Sequence, residues 1–226
     1  MTAQSRKRRE GGPATPASDR KADLRPDDGR LLRGRKSRAR ILEAARSLFL
    51  ERGFDDATLR AIAKRAGMGT SSIYRHIQSK EELLIDQLSE LQEEAWQRFR
   101  KSDSRDAPTR RRIRAFLDAQ HELFAADGDL TLIALRSTTR PGARVARQVL
   151  ALNDRTVGLL MEILQMGRMQ GDLSKKADVL EAARVIFNVT QGARIPWANG
   201  LTDADACREA IGSGVNMLFD GLATQG

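Results

Sequence analysis

The fold is decided by residues 58–77, which read TLRAIAKRAGMGTSSIYRHI. Thr58 is a typical N-cap for a short helix with apolar inward positions, and Gly67 permits the turn that closes it. Ile73 then anchors a second short helix, so the pattern predicts a helix-turn-helix. The outward face of the second helix is polar and consists of Thr70, Ser71, Ser72, Tyr74, Arg75 and His76. Such groups can reach base edges and phosphate oxygens of DNA, although a plain helical hairpin with a solvated face has the same periodicity.

A longer helix is predicted on each side of this segment. Upstream, a helix from about residue 33 ends at Gly53, and its apolar stripe consists of Ile41, Leu42, Ala45, Leu48 and Phe49. Downstream, residues 79–82 read SKEE, in which Ser79 and Glu82 have the spacing of a capping box. The helix that follows is expected to leave the first domain and enter the second, and its stripe consists of Leu84, Leu88, Leu91, Ala95 and Phe99.

The positive charge of the chain is concentrated near its N-terminal end. The net charge of the 226 residues is +9, from 39 Lys and Arg against 30 Asp and Glu. Residues 1–80 contribute +11 and residues 81–226 contribute −2, and residues 30–40 hold six basic and no acidic side chains. A focused excess of this kind indicates a polyanionic partner, which favours DNA binding over the plain hairpin. Residues 1–29 contain few large apolar side chains and are predicted to be a disordered arm.

Residues 37–84, SRARILEAARSLFLERGFDDATLRAIAKRAGMGTSSIYRHIQSKEELL, resemble the DNA-binding domain of the tetracycline-repressor (TetR) family of bacterial regulators. The positions that carry the resemblance are Ile41, Leu42, Ala44, Ala45, Leu48, Phe49, Gly53, Phe54, Thr58, Ile62, Ala63, Ala66, Gly67, Tyr74, His76, Ser79, Lys80 and Glu81. The chain departs from the family at Ser71 and Ile77, where glycine and an aromatic residue are common. Because Ser71 falls where a base contact is expected, the resemblance carries over no operator sequence.

The resemblance implies roles on DNA for the matching positions and their neighbours. Residues expected to hold phosphates or touch the DNA backbone are Thr58, Tyr74, His76 and Lys80. Residues expected to read bases are Ser71, Ser72 and Arg75, with Thr70 beside them, and an arginine can contact guanine through two parallel hydrogen bonds. The upstream cations expected to follow the backbone or enter a minor groove are Arg33, Arg35 and Lys36. A flexible, solvated run of charge is the alternative for these three.

The remainder of the chain is read as helical throughout, which makes the fold class all-α. Helices are predicted after Pro108, from Asp129 to about Arg136, and from about Ala143 to Gln170. Two more are predicted after caps at Ser174 and at Thr202 with Asp205. The domains are then a disordered arm over residues 1–29, a three-helix helix-turn-helix domain over 30–80 and a larger helical domain over 81–226. In the family that the sequence resembles, the larger domain binds ligand and dimerises.

A small-molecule effector is expected among the helices of residues 100–200, where apolar side chains are mixed with a few polar ones. The candidate ligand-binding residues are Phe99, Phe116, His121, Phe124, Leu135, Arg136, Met161, Leu164, Phe187, Gln191 and Trp197, with Arg194 as a further polar companion. A filled hydrophobic core is the alternative, and His121 in particular fits a core histidine. The composition suits an apolar ligand and does not name one.

The two C-terminal helices are expected to form a homodimer interface. Small residues at Ala183, Ala210 and Gly214 let helices approach closely, although packing inside one chain has the same requirement. A helix-turn-helix protein that reads a palindromic operator needs a second copy about 34–36 Å away. The function predicted is a ligand-released, DNA-binding transcriptional regulator, and a repressor in particular. The alternative is an architectural DNA-binding protein whose helical domain senses nothing.

Several other classes of protein find no support in the sequence. The single cysteine, Cys207, excludes an internal disulfide framework and a thiolate zinc site, and no secretory leader is apparent, which favours a cytoplasmic location. Charged residues interrupt every apolar run, so no membrane span is expected. Asp118, His121 and Glu122 are close in sequence but do not form a convincing metal or catalytic set. We therefore expect neither an enzyme nor a bound cofactor.

Overall fold

The computed structural model describes residues 26–139, 141–143 and 145–222. Within these residues the chain forms nine helices and no strand, which confirms the all-α prediction. The helices are α1 (Pro26–Arg52), α2 (Leu59–Arg65), α3 (Thr70–Ile73), α4 (Lys80–Ser102), α5 (Thr109–Ala126), α6 (Gly128–Thr139), α7 (Ala146–Gln170), α8 (Val179–Ala198) and α9 (Ala204–Leu222). None of the described helices is apolar over a sufficient length to cross a membrane.

Helices α1, α2 and α3 pack around a small apolar centre. Their fully buried side chains include Ile41, Leu48, Ile62 and Ile73, which come from all three helices. Helix α1 begins at Pro26 and not near residue 33, because proline is well suited to the first position of a helix, where no N–H is needed. Residues 26–29, predicted to belong to the arm, are therefore helical, and the rest of that arm lies outside the described residues.

The start of α4 is fixed by side-chain caps close to the predicted ones. The Ser79 hydroxyl accepts a hydrogen bond from the Glu82 amide (3.1 Å), and the Glu82 carboxylate accepts one from the Gln78 amide (2.7 Å). The carboxylate thus reaches the residue before the cap, one position earlier than in a standard capping box. From this start, α4 runs on to contact α5, α6 and α7, so one continuous helix joins the two halves of the chain.

The second domain is a bundle of α4 to α9 whose helix starts differ in detail from the prediction. Helix α8 is capped by Asp178, whose carboxylate accepts the amides of Leu180 and Glu181 (3.0 Å each), and not by Ser174. Ser174 instead closes a turn onto Ala177. The carboxylate is the stronger acceptor at a helix N-terminus, which explains the later start. Helix α9 likewise takes its cap from Asp203, which accepts the Ala206 amide (2.8 Å).

A buried ion pair holds the turn between α4 and α5. The guanidinium of Arg112 donates from Nε to Asp103 Oδ1 (2.9 Å) and from Nη2 to Asp103 Oδ2 (2.7 Å). The two side chains are only 3% and 11% exposed. Asp103 follows the last residue of α4 and Arg112 lies in the first turn of α5, so this pair sets how α5 returns along the long helix.

A second ion pair joins α1 to the larger domain. Arg46 in the C-terminal part of α1 contacts both carboxylate oxygens of Asp127, the residue between α5 and α6, at 3.1 and 2.9 Å. Helix α1 also packs on α6. The half of the chain formed by α1, α2 and α3, which is the predicted DNA-binding half, is therefore attached to the rest at α4 and again at this contact.

Candidate functional site

The helix-turn-helix is closed by a left-handed glycine, as the sequence predicts. Gly67 has φ +64°, and the amide of Met68 donates to the Ala63 carbonyl (2.9 Å), which folds the chain back after α2. Ala63 and Ile73 are fully buried against each other's helices. A residue with a side chain at position 67 would be strained at this φ, so the turn depends on glycine.

The polar face formed by α3 and by the turn after it, residues 74–76, is largely exposed. Thr70, Ser71 and Arg75 are exposed, Ser72 and His76 are half-buried, and the Tyr74 side chain is 53% exposed. Arg75 Nη2 donates to Ser72 Oγ (3.1 Å), so two residues expected to read bases lie side by side. The amide of Ile77 donates to the Ile73 carbonyl (3.0 Å), and this bond extends the helical path beyond α3.

Two residues expected to hold phosphates have structural partners in the free chain. Thr58 caps α2 as predicted, its Oγ1 accepting the Ala61 amide (3.2 Å), and it remains exposed. Lys80 Nζ donates to the carbonyls of Phe54 and Asp55 and lies 4.4 Å from the centre of the Phe54 ring. The lysine thus anchors the turn after α1, so its substitution would alter the fold as well as any phosphate contact.

The described cations among residues 33–40 divide between two faces of α1. Arg33, Lys36 and Arg40 are exposed, and their spacing of three and four places them on one stripe of the helix. Arg40 lines a cleft with Arg65 and Ala66 at the end of α2, so this basic stripe leads towards the helix-turn-helix. Arg38 instead forms an ion pair with Asp86 of α4. Both residues line a groove between α1 and α4, and Arg35 and Glu90 line the same groove.

A substitution at Arg75 tests the assignment of base reading to α3. We expect Arg75→Ala to cost about 1–3 kcal/mol of operator binding and to relax preference at one operator position, because the contact with guanine is lost. Tyr74→Phe is the matched control, since removal of a hydroxyl that touches the backbone should weaken all DNA sequences alike. Selection of bound sequences from a random pool, followed by titration of the selected site, measures both effects. Equal weakening of all sequences by Arg75→Ala would contradict the assignment.

A cavity of about 300 Å³ lies between α6, α7 and α8. Its lining residues are Leu135, Thr138, Thr139, Asn153, Phe187, Gln191, Arg194, Ile195 and Ala198. Three predicted ligand residues are thus brought together here, namely Leu135, Phe187 and Gln191, and the predicted polar companion Arg194 lies with them. The α8 members recur at helical spacing from Phe187, and this period in the sequence could have identified Ile195 and Ala198. Nothing local in the sequence marks Thr138, Thr139 or Asn153.

The other predicted ligand residues do not line this cavity. Phe99 and Phe116 are buried, and they pack against Trp96 with ring centres 5.3 and 5.4 Å from the indole. Apolar side chains on facing helices fill the interior at this point, which is the outcome expected of a packed core. The remaining buried or core-packed members are His121, Phe124, Met161, Leu164 and Trp197.

Arg136 also lies away from the cavity, in a larger cleft of about 800 Å³ between α6 and the DNA-binding half. Its Nε donates to the carbonyl of Ala198 at the end of α8. Phe49 and Phe54 line the opposite side of this cleft. Helix α6 therefore borders the cavity through Leu135, Thr138 and Thr139 and the DNA-binding half through its other face.

A buried polar network lies beside the cavity. Arg194 Nη2 donates to Gln120 Oε1 (2.6 Å), and Thr156 Oγ1 donates to Gln92 Oε1 (2.6 Å). Burial lowers the pKa of Arg194 to about 10, which still leaves its guanidinium charged at neutral pH. Burial, followed by the nearby charge of Arg194, lowers the pKa of His121. Within the described residues, His, Cys, Asp and Glu form no cluster that could hold a metal ion.

The exposed polar face of α3 and the basic stripe beside it define a helix-turn-helix DNA-binding protein with a helical second domain. The sequence profile of the family described as bacterial regulatory proteins, tetR family, matches residues 41–86. The HTH-type transcriptional repressor KstR of Rhodococcus jostii strain RHA1 is 30% identical over 203 residues, which cover 88% of this chain and 90% of KstR. The chain belongs to the TetR family and is a DNA-binding transcriptional regulator.

Solved structures of the same fold include two FadR proteins. The Thermus thermophilus FadR, a TetR-family transcriptional repressor in complex with lauroyl-CoA, has a TM-score of 0.69 and 24% identity, and the alignment covers 84% of this chain and 96% of FadR. Bacillus subtilis FadR in complex with stearoyl-CoA has a TM-score of 0.67 and 20% identity, and the alignment covers 81% and 98% of the two chains. At these identities the similarity establishes the fold.

Proposed function

We propose that this regulator is a repressor that binds a palindromic operator as a homodimer and is released when a small, largely apolar ligand enters the α6–α7–α8 cavity. The observation that carries the proposal is the position of α6. This helix lines the cavity on one side and the cleft against Phe49 and Phe54 of the DNA-binding half on the other. A ligand that repositions α6 therefore changes how that half is held, and KstR and FadR, both named as repressors, support the direction of the response.

The proposed residues on DNA follow from the interface described above. Arg75, Ser71 and Ser72 read bases with Thr70 beside them. Tyr74, His76 and Thr58 touch the DNA backbone. Lys80 also contacts a phosphate, in addition to its hydrogen bonds with the carbonyls of Phe54 and Asp55. Arg33 and Lys36 follow the duplex with Arg40, whereas the position of Arg35 beside Glu90 makes it a weaker candidate. The domains proposed are residues 30–80 for DNA and 81–226 for ligand and dimerisation.

The proposed dimer forms through α8 and α9, but not through all of the small residues predicted for it. Ala183 is buried within one chain, and a Cβ on Gly214 would lie 2.4 Å from Val189 Cγ1, so both serve contacts inside the chain. Exposed positions of α9 instead recur at helical spacing, and they are Ala206, Ala210, Ser213 and Met217. The Met217 side chain is 75% exposed, and Ile195 of α8 is also exposed. Small residues with an exposed methionine suit a close helix–helix interface between two copies.

Reciprocal coupling between ligand and operator tests the proposal. A ligand that favours the DNA-incompetent arrangement by about 1–3 kcal/mol lowers operator affinity about 5- to 150-fold, and linkage requires the operator to weaken the ligand by the same factor. Small apolar compounds and lauroyl-CoA are screened for a rise in Tm. The best compound is then titrated by calorimetry with and without operator selected from a random pool.

Two outcomes would contradict the proposal. A compound that binds with an affinity indifferent to operator would show that its site is not coupled to DNA binding. Competition between operator and bulk DNA distinguishes a specific regulator from an architectural DNA-binding protein. A specific regulator should prefer its operator by roughly 10³-fold or more. A ratio near one would favour the architectural protein.

A further inference from the structure

Arg194 is a buried cation without a counter-ion. The residue is only 5% exposed, and within the described part of the chain no carboxylate lies within ion-pair distance of its guanidinium. Its partners are neutral: Nη2 donates to the Gln120 amide oxygen, and the guanidinium carbon lies 4.7 Å from the centre of the Phe124 ring. Nε is buried and has no hydrogen-bond partner among these residues. A buried charge without a counter-ion destabilises the folded state, so a role other than stability is expected for Arg194.

The other buried arginine in the described part of the bundle, Arg112, has a structural role and is paired with a carboxylate. Arg112 is equally buried, and both its Nε and its Nη2 donate to the carboxylate of Asp103. Arg194 has no such carboxylate, yet it lines the α6–α7–α8 cavity. A cationic side chain that borders a cavity and lacks its anion is arranged to receive one from a ligand.

The rest of the cavity indicates what the anion is attached to. Phe187, Leu135 and Ile195 supply apolar walls, while Thr138 and Thr139 supply hydroxyls. At about 30 Å³ for each water molecule of the liquid, a cavity of about 300 Å³ has room for roughly ten water-sized groups. The site suits one charged group on a medium-length hydrocarbon chain.

We propose that the effector cavity binds a medium-chain carboxylate, with Arg194 as the residue that pairs with the carboxylate and Phe187 and Leu135 in contact with the chain. The inference rests on the proposed function, since it takes this cavity as the effector site. Arg194 selects the ligand by its charge. The other described residues that line the cavity are uncharged and cannot take this role.

Calorimetric titration of the full-length protein with octanoate and with 1-octanol tests the class of ligand. The two probes have the same chain and differ in the charged group. We expect octanoate to bind at least about tenfold more tightly, because only the carboxylate forms charge-assisted hydrogen bonds with the guanidinium. Octylamine should bind more weakly than either, since it brings a second cation beside Arg194.

Two substitutions separate a role in ligand selection from a structural role. In Arg194→Met the preference for octanoate over 1-octanol should disappear, while the protein should remain folded, because removal of an unpaired buried charge offsets the loss of the hydrogen bond to Gln120. Arg194→Lys keeps the charge but loses the planar fork, so a smaller preference should survive. Arg155→Gln on α7, whose partner is the surface residue Glu93, is the matched control and should behave as wild type.

Equal binding of octanoate and 1-octanol by the wild type would overturn the proposal, as would an unchanged preference in Arg194→Met. No saturable octanoate binding up to millimolar concentration would overturn it as well. Fluorescence anisotropy with labelled operator distinguishes this failure from that of the proposed function. If octanoate binds through Arg194 and leaves the operator bound, the switch is wrong and the ligand class stands. If only a neutral compound binds and releases the operator, the switch stands and the ligand class is wrong.

Discussion

Replacement of Arg33, Lys36 and Arg40 together by glutamine is expected to flatten the salt dependence of DNA binding more than any other change on the surface. The three cations are exposed, share one stripe of α1 and form no ion pair with another described residue. If each contacts a phosphate, a dimer loses six such contacts. At about 0.9 per contact, the slope of log affinity against log salt falls by about five, so the loss of affinity between 50 and 200 mM salt shrinks by roughly 10³.

The control for this prediction removes the same amount of charge elsewhere. Arg98, Arg110 and Arg155 are replaced by glutamine, and these three residues pair with Glu94, Asp220 and Glu93. We expect this variant to retain most of the wild-type slope, measured by anisotropy titration of bulk DNA over a salt series. Equal flattening by both variants would show that net charge acts at a distance and that the stripe is not a contact surface.

The second large effect is expected for stability, at the pair formed by Arg112 and Asp103. Asp103→Asn leaves the buried guanidinium uncompensated, and removal of one partner of such a pair typically costs about 3–5 kcal/mol. The pair is 3% and 11% exposed, so solvent screens it little. Urea unfolding at fixed protein concentration measures the change, because a dimer's stability depends on concentration.

An exposed ion pair provides the comparison for Asp103→Asn. Arg98 and Glu94 pair four residues apart on α4 with about half of each side chain exposed, so Glu94→Gln should cost no more than about 0.5 kcal/mol. Arg112→Met combined with Asp103→Leu should recover much of the loss, since apolar residues of similar volume replace a buried pair well. A loss below about 1 kcal/mol in Asp103→Asn would contradict the structural role of the pair.

Local signals in the sequence predicted local structure well. Thr58 and Ser79 cap their helices as expected, because a cap depends on a few neighbouring residues. Gly67 closes the helix-turn-helix for the same reason. The polar face of residues 70–76 followed from helical spacing, and the structure exposes Tyr74 and Arg75 as expected, although both lie in the turn after α3. The fold class was therefore accessible from residues that act within one or two turns.

Features that depend on distant contacts were not accessible in the same way. The sequence predicts a phosphate contact at Lys80, but it does not predict that the Lys80 ammonium lies on the Phe54 ring, because this contact depends on the packing of α1 near the start of α4. Arg194 was identified as one polar residue among several. Its lack of a counter-ion arises from the packing of α8 beside Gln120 and Phe124 of α5, which helical periodicity cannot reveal. Phe99 and Phe116, predicted as ligand residues, pack against each other in the core, and the sequence could not distinguish these outcomes because a filled core and an apolar cavity have the same composition.

The contact between Arg46 and Asp127 restricts how the DNA-binding half, α1 to α3, can move relative to the bundle. A rigid body held at one point can pivot in any direction, whereas one held at two points can turn only about the line through both. Helix α4 is the first attachment and the Arg46–Asp127 ion pair is the second. A displacement that keeps both intact has a single axis of rotation, and any other displacement must first break the ion pair. In a dimer, each DNA-binding half would then rotate about one axis. The distance between the two recognition helices would depend on the angle of that rotation alone.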